Sequence, residues 1–146
     1  MLITAPRRFN KSVNLHMMEC FFENYKYRSV FAKLKIGNTS TMDLCGEIPV
    51  VLLDFQDGVT TVNSLDDAIM ACRIIIHNAF SKHSYLNTSS KLLPQEKKLV
   101  ELWCDPVNFV SLHRQHVEVG LLRLCEFVSK YRGTNSTLYA QVHSQE

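Results

Sequence analysis

The sequence predicts a single α+β domain, in which a mostly antiparallel sheet from the N-terminal half packs on a central helix. Three observations lead to this fold class: alternating apolar side chains within the first 62 residues, a helical apolar period over 65–82, and a second helical stretch near the C-terminus. The chain has 146 residues, the usual size of one domain. We expect 1–146 to form this one domain, with 1–10 and 134–146 as frayed ends.

The first 62 residues are expected to supply the strands. In residues 27–39, apolar and polar side chains alternate with a period of two, which is typical of a half-buried strand. Residues 12–22 alternate less clearly and are interpreted as a strand as well. The apolar run at 48–55 predicts a strand that is covered on both faces, and the turn signal Asp57-Gly58 suggests a hairpin over 50–62.

The central helix is predicted over 65–82. Ser64 followed by Asp67 resembles a capping box, and apolar residues recur at helical spacing after it. Residues 84–95 are polar and are expected to form a mobile surface loop. A helical pair over 95–104 and 106–131 then completes the chain, because Asp105-Pro106 is a helix-start signal and Gly133 is a stop signal.

The last predicted helix carries the leading functional hypothesis. A narrow apolar seam follows it at a spacing close to seven residues, which is typical of a helix that docks a partner. We therefore expect a small non-catalytic binding or assembly protein that self-associates as a homo-oligomer through the 106–131 helix. No catalytic residues, cofactor or small-molecule substrate are expected. The seam residues are Val110, Val117, Leu121, Leu124, Val128 and Tyr131.

The alternative function is a nucleic-acid or anionic-membrane binding module. Residues 1–36 hold seven Lys or Arg and two Glu, whereas residues 37–67 hold six acidic and no basic residues. Aromatic side chains are interleaved with the basic ones, and this combination suits phosphate contacts with stacking, or a membrane interface. The basic residues are Arg7, Arg8, Lys11, Lys26, Arg28, Lys33 and Lys35.

A second alternative is a Cys/His metalloprotein or thiol enzyme. His113 and His116 share a helix face and are weak zinc candidates, with Cys104 and Cys125 nine residues to either side. Nine helical residues advance about 13 Å, so these four side chains converge only if Gly120 breaks the helix. No metal site is therefore expected.

Two further patterns bear on chemistry and compartment. Cys45, expected at an exposed turn, is the candidate thiol nucleophile, with His77 or His83 as its base. The sequence contains no Walker loop, GxSxG or HExxH motif. No secretory leader is evident and the five cysteines form no compact framework. We therefore expect a cytoplasmic, reducing environment, with a mitochondrial location as the less favoured alternative.

Overall fold

The computed structural model describes residues 11–55, 62–133 and 138–142. The fold is mainly helical, with short 3₁₀ turns between the helices. The ends predicted to fray, 1–10 and 134–146, lie outside the described residues apart from the backbone of the second strand. The helices are α1 (Lys11–Glu23), α2 (Arg28–Phe31), α3 (Leu65–Lys82), α4 (Pro94–Cys104) and α5 (Arg114–Arg132), and the strands are β1 (Val50–Asp54) and β2 (Leu138–Val142).

The predicted antiparallel sheet, and with it the α+β fold class, is wrong. Within the described part of the first 62 residues, β1 is the one strand, and it pairs in parallel with β2 near the C-terminus. The register runs from Val50 opposite Leu138 to Asp54 opposite Val142. A parallel pair needs a long crossover connection, and here α3, α4 and α5 lie between the two strands along the chain.

The alternating segment at 27–39 forms helical turns instead of a strand. The backbone N–H of Ala32 donates to the carbonyl of Arg28 at 2.9 Å, so the chain turns before it can extend. Phe31 is buried, whereas Val30 and Leu34 are 56% and 52% exposed, so the predicted apolar face of the strand points to solvent. A helical turn buries about one side chain in three or four. The alternation of apolar side chains in this segment therefore does not reflect burial. Residues 12–22, also interpreted as a strand, belong to α1.

The apolar run that contains β1 is covered on both faces, as predicted. Val51 and Leu53 belong to the cluster that includes the buried face of α3, and Val50 and Leu52 pack with Leu15 and with other side chains of α1. The hairpin expected over 50–62 is wrong in its pairing, because β1 joins β2 in parallel. Residues 56–61 lie outside the described part of the chain.

The central helix α3 confirms the prediction over 65–82. The Ser64 hydroxyl oxygen accepts a hydrogen bond of 3.1 Å from the backbone N–H of Asp67, and the Asp67 carboxylate accepts one of 3.2 Å from the N–H of Asn63. These bonds satisfy N–H groups that the first turn leaves unpaired. The polar loop expected after α3 is instead tied down, since Leu86 and Leu92 are buried and α4 already begins at Pro94.

The last helix is shorter than predicted. Asp105 does cap a backbone turn, since its carboxylate accepts hydrogen bonds of 2.8 and 3.1 Å from the N–H groups of Val107 and Asn108. That turn does not propagate, and α5 begins only at Arg114. The predicted stop is confirmed, because Gly133 has a φ of +74°, the left-handed conformation that ends many helices.

Three apolar clusters hold the described residues together, and the packing of Val50 and Leu52 on α1 is the smallest of them. The large core lies between β1, α3, α4 and α5, and its fully buried members include Phe80, Val100, Trp103, Leu124 and Val128. The small core lies beneath α1 and α2 and consists of Phe21, Phe31, Met42 and Cys45. Within the described ranges, no helix combines the length and hydropathy needed to cross a bilayer.

Candidate functional site

The first residues of α1 lie near the carboxyl end of β1. The backbone N–H of Ile48, just before β1, donates a hydrogen bond of 3.1 Å to the carbonyl of Phe22, at the end of α1. Leu15, two turns earlier in α1, packs against the side chains of β1. The helix therefore runs antiparallel to the strand, and its first residues lie toward the carboxyl end of β1. In open α/β arrangements, ligands bind outside this edge.

The first two residues of α1 are Lys11 and Ser12. The first turn of a helix leaves backbone N–H groups unpaired and carries a partial positive charge, which favours anions. No acidic side chain lies in this turn to oppose an incoming anion. An ammonium group, a hydroxyl group and free N–H donors are together the chemistry that binds phosphate.

The same edge carries a carboxylate. Asp54 is the last residue of β1, is half-buried, and lies opposite Val142 of β2 in the register. Carboxylate and hydroxyl oxygens are hard ligands that suit Mg²⁺. Asp67, on the helix that follows, serves a different purpose: its hydrogen bonds with Ser64 and with the N–H of Asn63 lower the pKa of its carboxyl group and fix it in the cap.

An apolar groove of ≈ 460 Å³ opens between α3 and α5, beside the end of β1. Phe55 lines one end, Leu65 and Cys72 line the α3 side, and an exposed ion pair between Arg114 and Glu118 at 3.0 Å lies on the α5 side. The Cys72 side chain is exposed. The groove has the volume of a typical ligand or peptide site.

The structure divides the predicted seam of α5 between the groove and the core. Val117 and Leu121 line the groove and are half-buried. Leu124 and Val128 have no exposed surface, because they pack inside the large core, so they offer no contact to a partner. Val110 lies before α5, in a 3₁₀ turn, and is 41% exposed. Docking of a partner by the remaining seam stays a prediction.

The sixth seam residue, Tyr131, lies at a junction where the ends of α1, α3 and α5 meet. Its ring centroid is 4.9 Å from that of Tyr85, whose hydroxyl is 2.9 Å from Nδ1 of the buried His83. The Arg132 guanidinium donates a hydrogen bond of 2.9 Å to the carbonyl of Glu23, the last residue of α1. Burial, reinforced by the charge of Glu19, raises the pKa of the Glu23 carboxyl group.

The basic residues predicted as an alternative site lie mainly on the surface of the 24–38 segment. Lys26, Lys33 and Lys35 are exposed, and the half-buried Arg28 donates a hydrogen bond of 2.8 Å to the carbonyl of Met42. Arg28 is therefore partly structural. The positions of Arg7 and Arg8, and of the Lys11 side chain, lie outside what the structure describes.

One of the two predicted zinc candidates, His113, serves local structure. His113 caps α5 by accepting a hydrogen bond from a backbone N–H of the first turn, whereas Nδ1 of His116 is buried without a partner among the described residues. The Cys104 thiol points at the carbonyl of Phe80, 3.5 Å away, and burial raises its pKa. Across residues 11–55, 62–133 and 138–142, no three His, Cys, Asp or Glu side chains group as metal ligands.

The structure also bears on the expected helix break at Gly120 and on the expected exposure of Cys45. α5 continues through Gly120, where a Cβ atom would lie 3.0 Å from Trp103 and 3.2 Å from Ile76, so close packing rather than a helix break requires this glycine. The predicted exposure of Cys45 is wrong, because the thiol is fully buried in the small core. Its proposed partner His77 instead lies 2.6 Å from the carbonyl of Trp103, in the large core.

A family model described as a predicted AAA-ATPase matches residues 1–116, most of the chain. The protein belongs to this predicted AAA-ATPase family. Searches of curated proteins and of solved structures give no match. The matched range includes α1, β1, α3 and α4. It therefore contains both α1 and β1, whose ends form the edge described above.

The Lys11-Ser12 pair is the functional signal that sequence reasoning missed. A phosphate-binding Walker loop has the pattern G-x-x-x-x-G-K-[ST] before a helix, whereas residues 5–12 read APRRFNKS. Lys11 and Ser12 fit this pattern, while Ala5 and Asn10 occupy the two glycine positions. The segment lacks both glycines of the pattern, so the pattern as written does not match it. A phosphate loop is also identified by the helix that follows it, and residues 12–22 were interpreted as a strand.

Proposed function

We propose that this protein binds the phosphate groups of a nucleoside triphosphate at the carboxyl edge of β1. One observation carries the proposal: α1 begins at Lys11-Ser12, and these first residues lie toward the carboxyl end of the buried parallel strand β1. The name of the family, a predicted ATPase, supports the choice of nucleotide over other anions.

Each residue of the edge has a distinct role in this proposal. Lys11 neutralises the outer phosphates, and the free N–H groups at the start of α1 donate to their oxygens. The Ser12 hydroxyl and the Asp54 carboxylate would hold a Mg²⁺ ion, which neutralises phosphate charge when bound. Hydroxyl and carboxylate oxygens are ligands that Mg²⁺ prefers, so Ser12 and Asp54 fit the ion. The Lys11 ammonium group fits the phosphates.

The two replaced glycines predict weak binding and little hydrolysis. Glycine in a phosphate loop lets the backbone approach the phosphates and adopt left-handed conformations. Asparagine tolerates that conformation better than most residues, whereas alanine does not. The sequence at 5–12 retains the cation and the hydroxyl of the pattern, whereas Asn10 and Ala5 lack the conformational range of glycine. We therefore assign binding to this site and expect hydrolysis to be slow.

Calorimetric titration with MgATP tests the proposal. We expect saturable binding that falls at least about tenfold in Lys11→Met, the loss of one charged contact. Ser12→Ala should remove the gain in affinity that Mg²⁺ provides, whereas Asn10→Gly should tighten binding because it restores a loop glycine. Lys98→Met, on the exposed face of α4, is the matched charge control and should bind as the wild type does. Absence of saturable binding, or equal binding by Lys11→Met, contradicts the proposal.

A second candidate function is self-association, supported by the apolar groove between α3 and α5. Leu65, at the edge of this groove, is 66% exposed, and the seam residues Val117 and Leu121 lie within it. Exposed apolar surface of this kind is stabilised when a partner covers it. A second copy of the chain is the occupant that the seam of α5 suggests.

Sedimentation velocity at several protein concentrations tests self-association. The wild type should show a concentration-dependent dimer, and Leu65→Asp should remain monomeric, because a charge would then be buried in the interface. Leu122→Asp is the control, since Leu122 is 55% exposed and does not line the groove. A wild-type chain that is monomeric at every concentration removes this candidate.

A further inference from the structure

One surface of the 24–38 segment combines exposed cations with an exposed aromatic ring. The 3₁₀ turn Tyr25–Tyr27 continues directly into α2, and the N–H of Lys33 still donates to the carbonyl of Val30 at 3.2 Å. Phe31 is buried in this helical stretch, whereas its exposed side chains include five that together carry the charge and the ring. We call these five exposed residues the basic face: Tyr25, Lys26, Ser29, Val30 and Lys33.

The charge of this surface is unopposed within its own segment. Residues 24–42 contain four Lys or Arg and no Asp or Glu. In the part of the chain that the structure describes, no carboxylate forms an ion pair with Lys26, Lys33 or Lys35. Lys26 Nζ lies 5.0 Å from the centroid of the Tyr27 ring, but cations without an opposing carboxylate remain available to an external polyanion.

Tyr25 is held in place while most of its ring stays in solvent. The Arg28 guanidinium lies 5.5 Å from the ring centroid, and Arg28 is itself anchored to the carbonyl of Met42. Beneath the ring, the backbone of Tyr25 packs directly on Gly46, where a Cβ atom would approach within 2.6 Å. The side chain nevertheless remains 61% exposed, so a planar group can stack on it.

We infer that the basic face binds single-stranded nucleic acid, with phosphates on Lys26 and Lys33 and a base stacked on Tyr25. The helical stretch from Tyr25 to Lys33 is about 12 Å long, which suits a site of a few nucleotides. A membrane surface fits less well, because the one aliphatic side chain of the face, Val30, provides little apolar area to insert. The inference is independent of nucleotide binding at α1, which uses different residues.

Fluorescence anisotropy with labelled twelve-nucleotide oligo(dT) and oligo(U) tests the inference over a range of salt concentrations. Tyr25→Ala should weaken binding about tenfold through the lost stacking, and Tyr25→Phe should retain it. Lys26→Gln/Lys33→Gln should weaken binding and reduce the slope of log K against log salt by about 1.4, the value for two phosphate contacts. Circular dichroism of each variant confirms that the fold is intact.

Controls separate this surface from the rest of the protein. Lys97→Gln/Lys98→Gln makes the same change in net charge on α4 and should bind as the wild type does. Lys11→Met should also leave oligonucleotide affinity unchanged, whatever it does to MgATP. Binding that is insensitive to Tyr25→Ala and to the Lys26/Lys33 variant overturns the inference. So does binding to phosphatidylserine vesicles without oligonucleotide binding, or binding to neither.

Discussion

The two cores of this protein are built in different ways. In the large core, side chains of long helices pack against one another, and the rings of Phe80 and Trp103 lie nearly parallel with centroids 5.6 Å apart. In the small core, short turns gather a few side chains, and the rings of Phe21 and Phe31 meet edge to face at 5.0 Å. The first arrangement buries extensive surface, whereas the second depends on a few close contacts.

This difference indicates which kind of substitution should destabilise each core most. Around the small core, backbone segments approach so closely that a side chain does not fit: a Cβ on Gly46 would lie 2.6 Å from the backbone of Tyr25. In the large core, the most sensitive positions are bulky side chains with no exposed surface. Substitutions that delete volume should therefore act most strongly in the large core, and substitutions that add atoms should act most strongly beneath α2.

Trp103→Ala should produce the largest loss of stability. The indole is fully buried between α3 and α5, and deleting a large buried aromatic side chain costs about 4 kcal/mol. Urea denaturation followed by circular dichroism measures this free energy of unfolding. Trp103→Phe should cost much less, because the indole N–H is buried without a partner among the described residues, so nothing polar is lost. A Trp103→Ala protein as stable as the wild type would show that the large core is not organised as described.

The junction between the cores should make stability depend on pH. Burial, with the positive charges of Lys82 and Arg132, lowers the pKa of His83 from 6.5 to about 4. The unfolded chain therefore binds a proton before the folded chain does, so stability is complete above pH 6.5 and falls toward pH 4. The loss reaches about 3 kcal/mol.

The comparison of His83→Gln with the wild type isolates this effect from other titrating groups. Urea midpoints of the two proteins should converge as the pH falls, because glutamine does not bind the proton. The control is His113→Asn, which removes an exposed imidazole and replaces its Nδ1 acceptor at the cap of α5 with an amide oxygen. Parallel pH curves for the wild type and His83→Gln would mean that His83 is not held neutral at the junction.

Gly46→Ala and Gly133→Ala form a matched pair that tests close packing around the small core. Both glycines have positive φ, +81° and +74°, and alanine pays about 1 kcal/mol for that conformation. A Cβ on Gly133 has open space, with Lys91 Nζ the nearest atom at 3.9 Å, whereas a Cβ on Gly46 meets backbone. We expect Gly46→Ala to cost about 2 kcal/mol or more. Equal unfolding free energies of the two variants would contradict the proposed close approach.

The smallest effect is expected at the surface of the large core. Lys130 Nζ lies 2.8 Å from a carboxylate oxygen of Glu96, and both side chains are partly exposed. Lys130→Met should cost about 0.5 kcal/mol, a loss that disappears in concentrated salt. Glu96→Ala should cost more, because this carboxylate also accepts a hydrogen bond of 2.6 Å from the N–H of Leu93 at the start of α4. Equal costs would show that the capping bond contributes nothing.

The sequence predicts the part of the fold in which one periodic face determines burial. The bounds of α3, its Ser64-Asp67 cap, the stop at Gly133 and the two-sided burial of β1 could be predicted, since each has a local cause. The 27–39 segment could not, because its alternation is accidental and its turns depend on contacts with residues far along the chain. An example is the bond from Arg28 to Met42.

The candidate site was harder to predict than the fold. Ser12 and Asp54 are 42 positions apart in the sequence, and only the antiparallel packing of α1 on β1 indicates that they share an edge. The partner strand of β1 comes from residues 138–142, which carry no pattern that identifies them as its neighbour. The seam of α5 shows the converse: Val117 to Tyr131 lie on one helix, but Val110 lies before it, and the buried Leu124 and Val128 serve the chain's own core.

The most direct test of the central claim is amide NMR of the ¹⁵N-labelled protein during titration with MgATP. If nucleotide phosphates bind at the start of α1, the resonances of Lys11, Ser12 and Asp54 should shift together and saturate, while those of Tyr25 and Lys33 remain unchanged. Shifts confined to the basic face, or no shifts at α1 at saturating MgATP, would contradict the claim.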